Sequence, residues 1–320
     1  MYTPSLKLCI SAIVLVFILV TAASAQPYAY VSNVSGNNVS VVNSATNSLV
    51  TLITVPAGPT GLAATPDGSS IYVASQSKNS VSIISTASHS VTNTIAVGSV
   101  PVAVAVAPNG QTAYVVDQGS NQVSIINTAS KTVEKTVAVG QRPSAIAFSP
   151  DGTHAFVSNL YGNTVSVIST SSQSVVATFA TQSGPSALAV ATNGAYIYVA
   201  NSYSNSVTVH NNPSGSIVKT ITGLNYPNSL AITPNGSHLL VTNGNGGSVS
   251  IIQTSNDAVM KTLTTGSLPT AVAVSPDGAH AYVTNEYGFS LTVINTSTNQ
   301  VTTTIPRVGV YPVRVATSKL

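Results

Sequence analysis

The stretch "PSAIAFSPDGTHAFVSNLYGNTVSVISTSSQSVVATFATQSG", Pro143 to Gly184, holds four short runs rich in Val, Ile, Phe and Ala: "SAIAFSP", "HAFVSN", "NTVSVIS" and "SVVATFA". Runs of this length and composition, parted by turn residues, read as β-strands. The unit recurs along the chain. Prolines stand at 59, 101, 143, 185, 227 and 269, each 42 residues after the last, and Pro312 follows after 43. A fixed period of this size marks stacked supersecondary units, and four strands in about 40 to 45 residues is the proportion of a propeller blade.

Six full units run from Pro59 to Tyr311. The segment 27–58 has "YAYVSN", "NNVSVVN" and "LVTLITV" but no first strand, whereas "PVRVAT" near the C-terminus is a first strand without followers. Together they complete a seventh blade. The expected fold is therefore all-β: a seven-bladed propeller of four-stranded antiparallel blades, closed by the C-terminal strand joining the N-terminal blade, which removes an exposed sheet edge. Asp67, Asn109, Asp151, Asn193, Asn235 and Asp277 are each followed by Gly at one position of the repeat. They read as hairpin turns that tolerate positive φ. Alanines at 63, 105, 147, 189, 231, 273 and 316 share a place on the innermost strand, where crowding at the axis favours a small side chain, with residues such as Ile146 and Phe148 filling the space between blades. Lys135, Lys219 and Lys261 share a place on the outermost strand, where a lysine discourages edge pairing.

"YVTN" at Tyr282 to Asn285, with "YVSN" at Tyr30, "FVSN" at Phe156, "YVAN" at Tyr198 and "LVTN" at Leu240, resembles the repeat of the YVTN β-propellers, a family of surface-layer and YncE-type secreted proteins. "YVAS" at Tyr72 and "YVVD" at Tyr114 depart from it. The resemblance implies a secreted, periplasmic or cell-surface binding scaffold with a cell-envelope protein or glycan as partner. A more distant similarity to lactonase-type propellers implies a metal held by acidic and amide side chains near the axis. The inner strands offer alanine there, so no cofactor and no metal are expected.

Lys7, the apolar run "LCISAIVLVFILV" and Ala23-Ser24-Ala25 have the layout of a secretory signal peptide over residues 1–25, with the propeller over 26–320 and no membrane span after cleavage. Beyond residue 25 there is no cysteine, which excludes disulfides and thiolate sites. Nine basic against seven acidic residues there give too small an excess to argue by itself for nucleic acid or membrane.

An antiparallel meander places the first and third turns of every blade on one face of the disc and the second turn and the blade connections on the other. The five histidines, 89, 154, 210, 238 and 280, fall on or near the first face. Equivalent atoms on neighbouring blades stand about 9 Å apart, too far for a shared metal site. The second face carries Arg142 and Arg307 in connections, Arg314 on the closing strand, Tyr161, Tyr203 and Tyr287 at one place in the second turn, and Tyr226 and Tyr311 before blade prolines. Tyr and Arg are enriched where interfaces gain most of their affinity, so these eight residues are the candidate ligand site. The acids outside the hairpin turns, Asp117, Glu134, Asp257 and Glu286, scatter over four blades, and no catalytic triad follows from spacing. The sequence alone therefore predicts no enzyme but a binding scaffold. An anion or single-stranded nucleic-acid binder on the Arg/Tyr face is the alternative, and a lactonase-like hydrolase a lesser one.

Overall fold

The computed structural model describes residues 28–318, and the expected signal peptide at 1–25 lies outside them. The described residues form seven four-stranded antiparallel sheets. In blade 1 the closing strand β28 (Pro312–Thr317) lies innermost and pairs with β1 (Tyr28–Asn33), followed by β2 (Asn38–Asn43) and β3 (Ser48–Thr54). Blades 2 to 7 each take four consecutive strands, from Pro59–Ala64 through to Gln300–Pro306. Tyr30 faces Ala316 across the closing pair, and Ser318 N–H donates to Tyr28 O at 3.1 Å. No helix among the described residues is long and apolar enough to cross a membrane.

The second and third strands are buried on both faces, because each blade is covered by a neighbour on either side. Seven apolar clusters fill the seven gaps. One joins Tyr30, Val41 and Ile53 of blade 1 to Leu62, Ile71 and Val73 of blade 2, and another joins Tyr282, Leu291 and Val293 of blade 7 to Val31, Val42 and Val315 of blade 1. The aromatic of each YVTN-like strand is a core residue: Tyr30, Tyr114, Phe156, Tyr198 and Tyr282 are almost wholly enclosed. Leu240 takes the place in blade 6.

The repeated alanines owe their size to these rings. Ala147 lies directly opposite Phe156, Ala273 opposite Tyr282 and Ala63 opposite Tyr72. Ala147 packs with Phe156 toward blade 5, while Ile146 and Phe148 pack toward blade 3, so both faces of the inner strand serve blade interfaces. The first turns also differ in detail from the expectation. Positive φ falls on Gly68, Gly152 and Gly278, at 71 to 73°, and not on the acids before them. Asp277 instead accepts hydrogen bonds from Ser275 Oγ at 2.5 Å and Ala279 N–H at 2.9 Å, which holds its carboxyl below the usual range. Lys135 and Lys219 on outer strands donate to the carbonyls of Ser172 and Asn256 in the next blade's third turn.

Candidate functional site

The channel mouth on the second-turn face is a basin of about 420 Å³ to which all seven blades contribute. Two rings of side chains line it. The first is the residue after each blade proline: Thr60, Val102, Ser144, Ser186, Asn228, Thr270 and Val313. Their polar members latch each blade to the next. Thr60, Ser144, Ser186, Asn228 and Thr270 donate to the carbonyls of Pro101, Pro185, Pro227, Pro269 and Pro312, at 2.8 to 3.2 Å. Val102 cannot donate, and Gln118 serves Pro143 O in its stead at 3.3 Å.

The second ring is the residue after the second strand in six of the seven blades, Val34, Gln76, Gln118, Leu160, Ser202 and Glu286, with Gly244 at this place in blade 6. These are positioned by the buried polar residue before them. Asn159, Asn201, Asn243 and Asn285 donate through Nδ2 to Ser166, Thr208, Ser250 and Thr292 on the third strand at 2.9 to 3.0 Å. In blade 3, Asp117 accepts from Ser124 Oγ at 2.6 Å instead, and burial pushes its carboxyl up to about 6. In blade 2, Ser75 is too short to reach, and Ser75, Ser80 and Ser82 keep buried hydroxyls without a partner.

Two charged side chains line the basin, Glu286 and Arg314. Glu286 follows β25 (His280–Asn285), and its N–H is fixed on Leu268 O at 2.9 Å. Arg314 stands on β28, where the other blades carry Gly61, Ala103, Ala145, Ala187, Ser229 and Ala271. Its Nη1 donates to Thr270 O at 3.0 Å and Val313 O at 3.2 Å, tying the guanidinium across the junction of blades 7 and 1. Burial raises the Glu286 carboxyl above its ordinary value while Arg314 beside it partly offsets the rise. Burial in turn lowers the Arg314 guanidinium, opposed by Glu286. A carboxylate with a raised pKa beside a fixed guanidinium can accept a proton and stabilise a developing oxyanion.

Of the eight residues chosen from sequence, Arg314 and Tyr226 line this basin. The others stand in the loops around it. Arg142 lies 4.8 Å over the Tyr161 ring, Tyr203 pairs with Tyr226 at 6.3 Å, and Tyr287 meets Tyr311 edge-on at 5.9 Å. Arg307 is exposed in the connection before blade 1. Sequence reasoning missed the two rings. The signal for them was the variability of the residue after each blade proline and after each YVTN-like strand in an otherwise regular repeat.

Among the described residues no three of His, Cys, Asp and Glu come together as a metal-holding group. At the basin Glu286 is the sole carboxylate, and Asn228 already donates to Pro269 O and accepts from Thr242 Oγ1 at 2.5 Å. The donor set therefore does not fit the metal that the lactonase-type resemblance implies, since a hard divalent ion needs several free oxygens and Arg314 already holds the cationic place. His210 is fully enclosed, its Nδ1 at 2.9 Å from Gly215 O and its Nε2 at 2.8 Å from Thr208 Oγ1, and burial lowers its pKa.

Residues 104–272 match the family described as lactonase, seven-bladed β-propeller. No curated protein sequence matches the chain. Among solved structures, a hydrazine synthase of Kuenenia stuttgartiensis superposes with a TM-score of 0.78 at 23% identity, covering 84% of this chain and 92% of that one. A provisionally named 6-phosphogluconolactonase of Bacteroides uniformis ATCC 8492 gives 0.77 at 17% identity, covering 92% and 99%. One of Bacteroides fragilis NCTC 9343 gives 0.78 at 15%, covering 93% and 99%. At these identities the likeness speaks to the fold.

The family match overturns the expectation of a non-catalytic scaffold that is no enzyme. That expectation failed because acids scattered along the sequence were judged by their spacing. Ring closure brings β28 beside blade 7, so Arg314 and Glu286 line one basin and influence each other's charge although neither lies within the other's repeat. Matched over residues 104–272, more than half of its length, the chain belongs to the lactonase family of seven-bladed β-propellers.

Proposed function

We propose that the protein is a lactonase-like hydrolase acting at the channel mouth. The observation that carries this reading is that Glu286 and Arg314 line the same basin in a chain that belongs to the lactonase family. Both residues lie beyond the matched span, so their roles rest on geometry. In the reaction, water adds to the lactone carbonyl carbon, the ring C–O bond breaks, and a hydroxy acid leaves. Glu286, ionised, takes the proton of the attacking water and returns it to the leaving alkoxide. Arg314, held by Thr270 O and Val313 O through Nη1, directs its remaining donors to the carbonyl oxygen as charge develops there. Tyr226 walls the basin between blades 5 and 6.

The test is hydrolysis of a panel of small lactones by the purified protein, followed by pH-stat. Glu286→Gln should lower kcat by about 100-fold or more, and chelators should leave the rate unchanged. A folded protein that hydrolyses no lactone faster than buffer, or a fully active Glu286→Gln variant, would refute the reading. A location outside the cytoplasm and a place among the YVTN-repeat propellers are part of the same proposal, supported by the layout of residues 1–25 and by the recurring YVTN-like strands.

A further inference from the structure

The exposed aromatics of the mouth face form an arc and not a full ring. At the residue after the second-ring position, blades 4, 5 and 7 carry Tyr161, Tyr203 and Tyr287, each more than half exposed, whereas blades 1, 2, 3 and 6 carry Ser35, Ser77, Gly119 and Asn245, with Tyr226 beside Tyr203 at the edge of blade 6. Phe289, 40% exposed, lies edge-on to Tyr311 at 5.3 Å and extends the arc toward blade 1. Charge is divided between the two faces in the same asymmetric way. Lys78, Arg142 and Arg307 are exposed on the mouth face. Of the seven acids, Asp67, Asp151, Asp257 and Asp277 lie in turns of the opposite face, Glu134 lies on an outer strand, and Asp117 is fully enclosed. Glu286, within the basin, is the remaining one.

We infer that this arc is a docking surface for a carboxylated polysaccharide, which lies across blades 4 to 7 and presents an internal ester of a sugar acid to the basin. The inference rests on the lactonase reading above. Sugar rings offer polarised C–H faces to the negative faces of tyrosines, and their carboxylates complement Arg142 and Arg307 at the two ends of the arc. The basin favours a polyol over a polynucleotide. Thr60, Ser144, Ser186 and Thr270 have already donated their hydroxyl protons to proline carbonyls, so what they present to a ligand are acceptor lone pairs. Sugar hydroxyls can donate to these, whereas a phosphate, which only accepts, finds its charged donor only in Arg314 and faces the Glu286 carboxylate. Hydrolysis adds one water, breaks the ester C–O bond between a sugar carboxyl and a neighbouring hydroxyl, and yields a carboxylate, a free hydroxyl and one proton.

The experiment is affinity electrophoresis of the full chain through gels holding polygalacturonate, neutral dextran or a dT oligonucleotide, with small-lactone hydrolysis measured in parallel. Retention by polygalacturonate alone is expected. It should weaken with salt, and weaken by on the order of tenfold in a combined Arg142→Ala, Tyr161→Ala, Tyr287→Ala variant of unchanged melting temperature. No retention, retention that salt leaves unaltered, equal retention by dextran or the oligonucleotide, or full retention of the variant overturns the docking surface. Small-lactone hydrolysis without retention removes the docking surface and leaves the lactonase reading. Retention without any hydrolysis removes the lactonase reading and leaves the surface as a binding site.

Discussion

Replacing Asp117 by Asn should stabilise the ring by about 3 kcal/mol at pH 7.5 and by almost nothing at pH 4. Asp117 ends β9 (Thr112–Asp117) with no solvent exposure. One carboxyl oxygen accepts from Ser124 Oγ at 2.6 Å and the other has no partner. Burial raises its pKa from 3.8 to about 6 despite the hydrogen bonds that oppose the shift. Because the folded value lies above the unfolded one, the folded state holds the proton more tightly. The stabilisation is complete below about pH 4 and is lost as pH rises through 6. The gap of about two pKa units, at 1.36 kcal/mol each, sets the cost of ionising the buried group. Asn carries no charge at any pH, and five other blades already hold it at this position: Asn33, Asn159, Asn201, Asn243 and Asn285. Its Nδ2 can donate to Ser124 as Asn159 donates to Ser166 at 3.0 Å. Denaturant unfolding of both proteins at pH 4, 5, 6 and 7.5 measures the difference directly. A difference that does not grow between pH 4 and 7.5 would show that Asp117 is not held as described.

Other changes test the ring and the site. Gly61→Ala would set a Cβ at 2.5 Å from Ala103 Cα and 2.7 Å from Val102 O, and since backbone cannot step aside, a loss of about 1 to 3 kcal/mol should appear in the unfolding midpoint. Ser75→Asn should place an amide against the unpartnered Ser80 and Ser82 hydroxyls and stabilise by about 1 kcal/mol, seen as a raised melting temperature. Deleting residues 312–320 removes β28, exposes the inner edge of β1 and takes Arg314 with it; an unchanged melting temperature would show that closure does not hold the ring. The acid limb of lactone kcat/KM should lie above the ordinary carboxylate range and vanish in Glu286→Gln, because burial raises the Glu286 carboxyl.

The period of 42, the alternation within each run and the split of blade 1 between the two ends were legible in the residues, because a blade cannot bury its faces alone and the pattern must repeat. Core rings such as Tyr282 and the turn role of Asp277 followed from the same repetition. What repetition hides is the exception. Asp117 reads as one more departure from "YVTN", and its enclosure and raised pKa emerge only when the neighbouring connection closes over it. Glu286 and Arg314 stand 28 residues apart in different units, and no spacing rule joins them. The sequence by itself determined the strands, their number per blade, the blade count and the mode of closure, since these depend on local periodicity and turn chemistry. Only the tertiary structure decided which single residues of seven equivalent sets share the basin, because that sharing depends on how a closed ring brings its last strand beside its seventh blade.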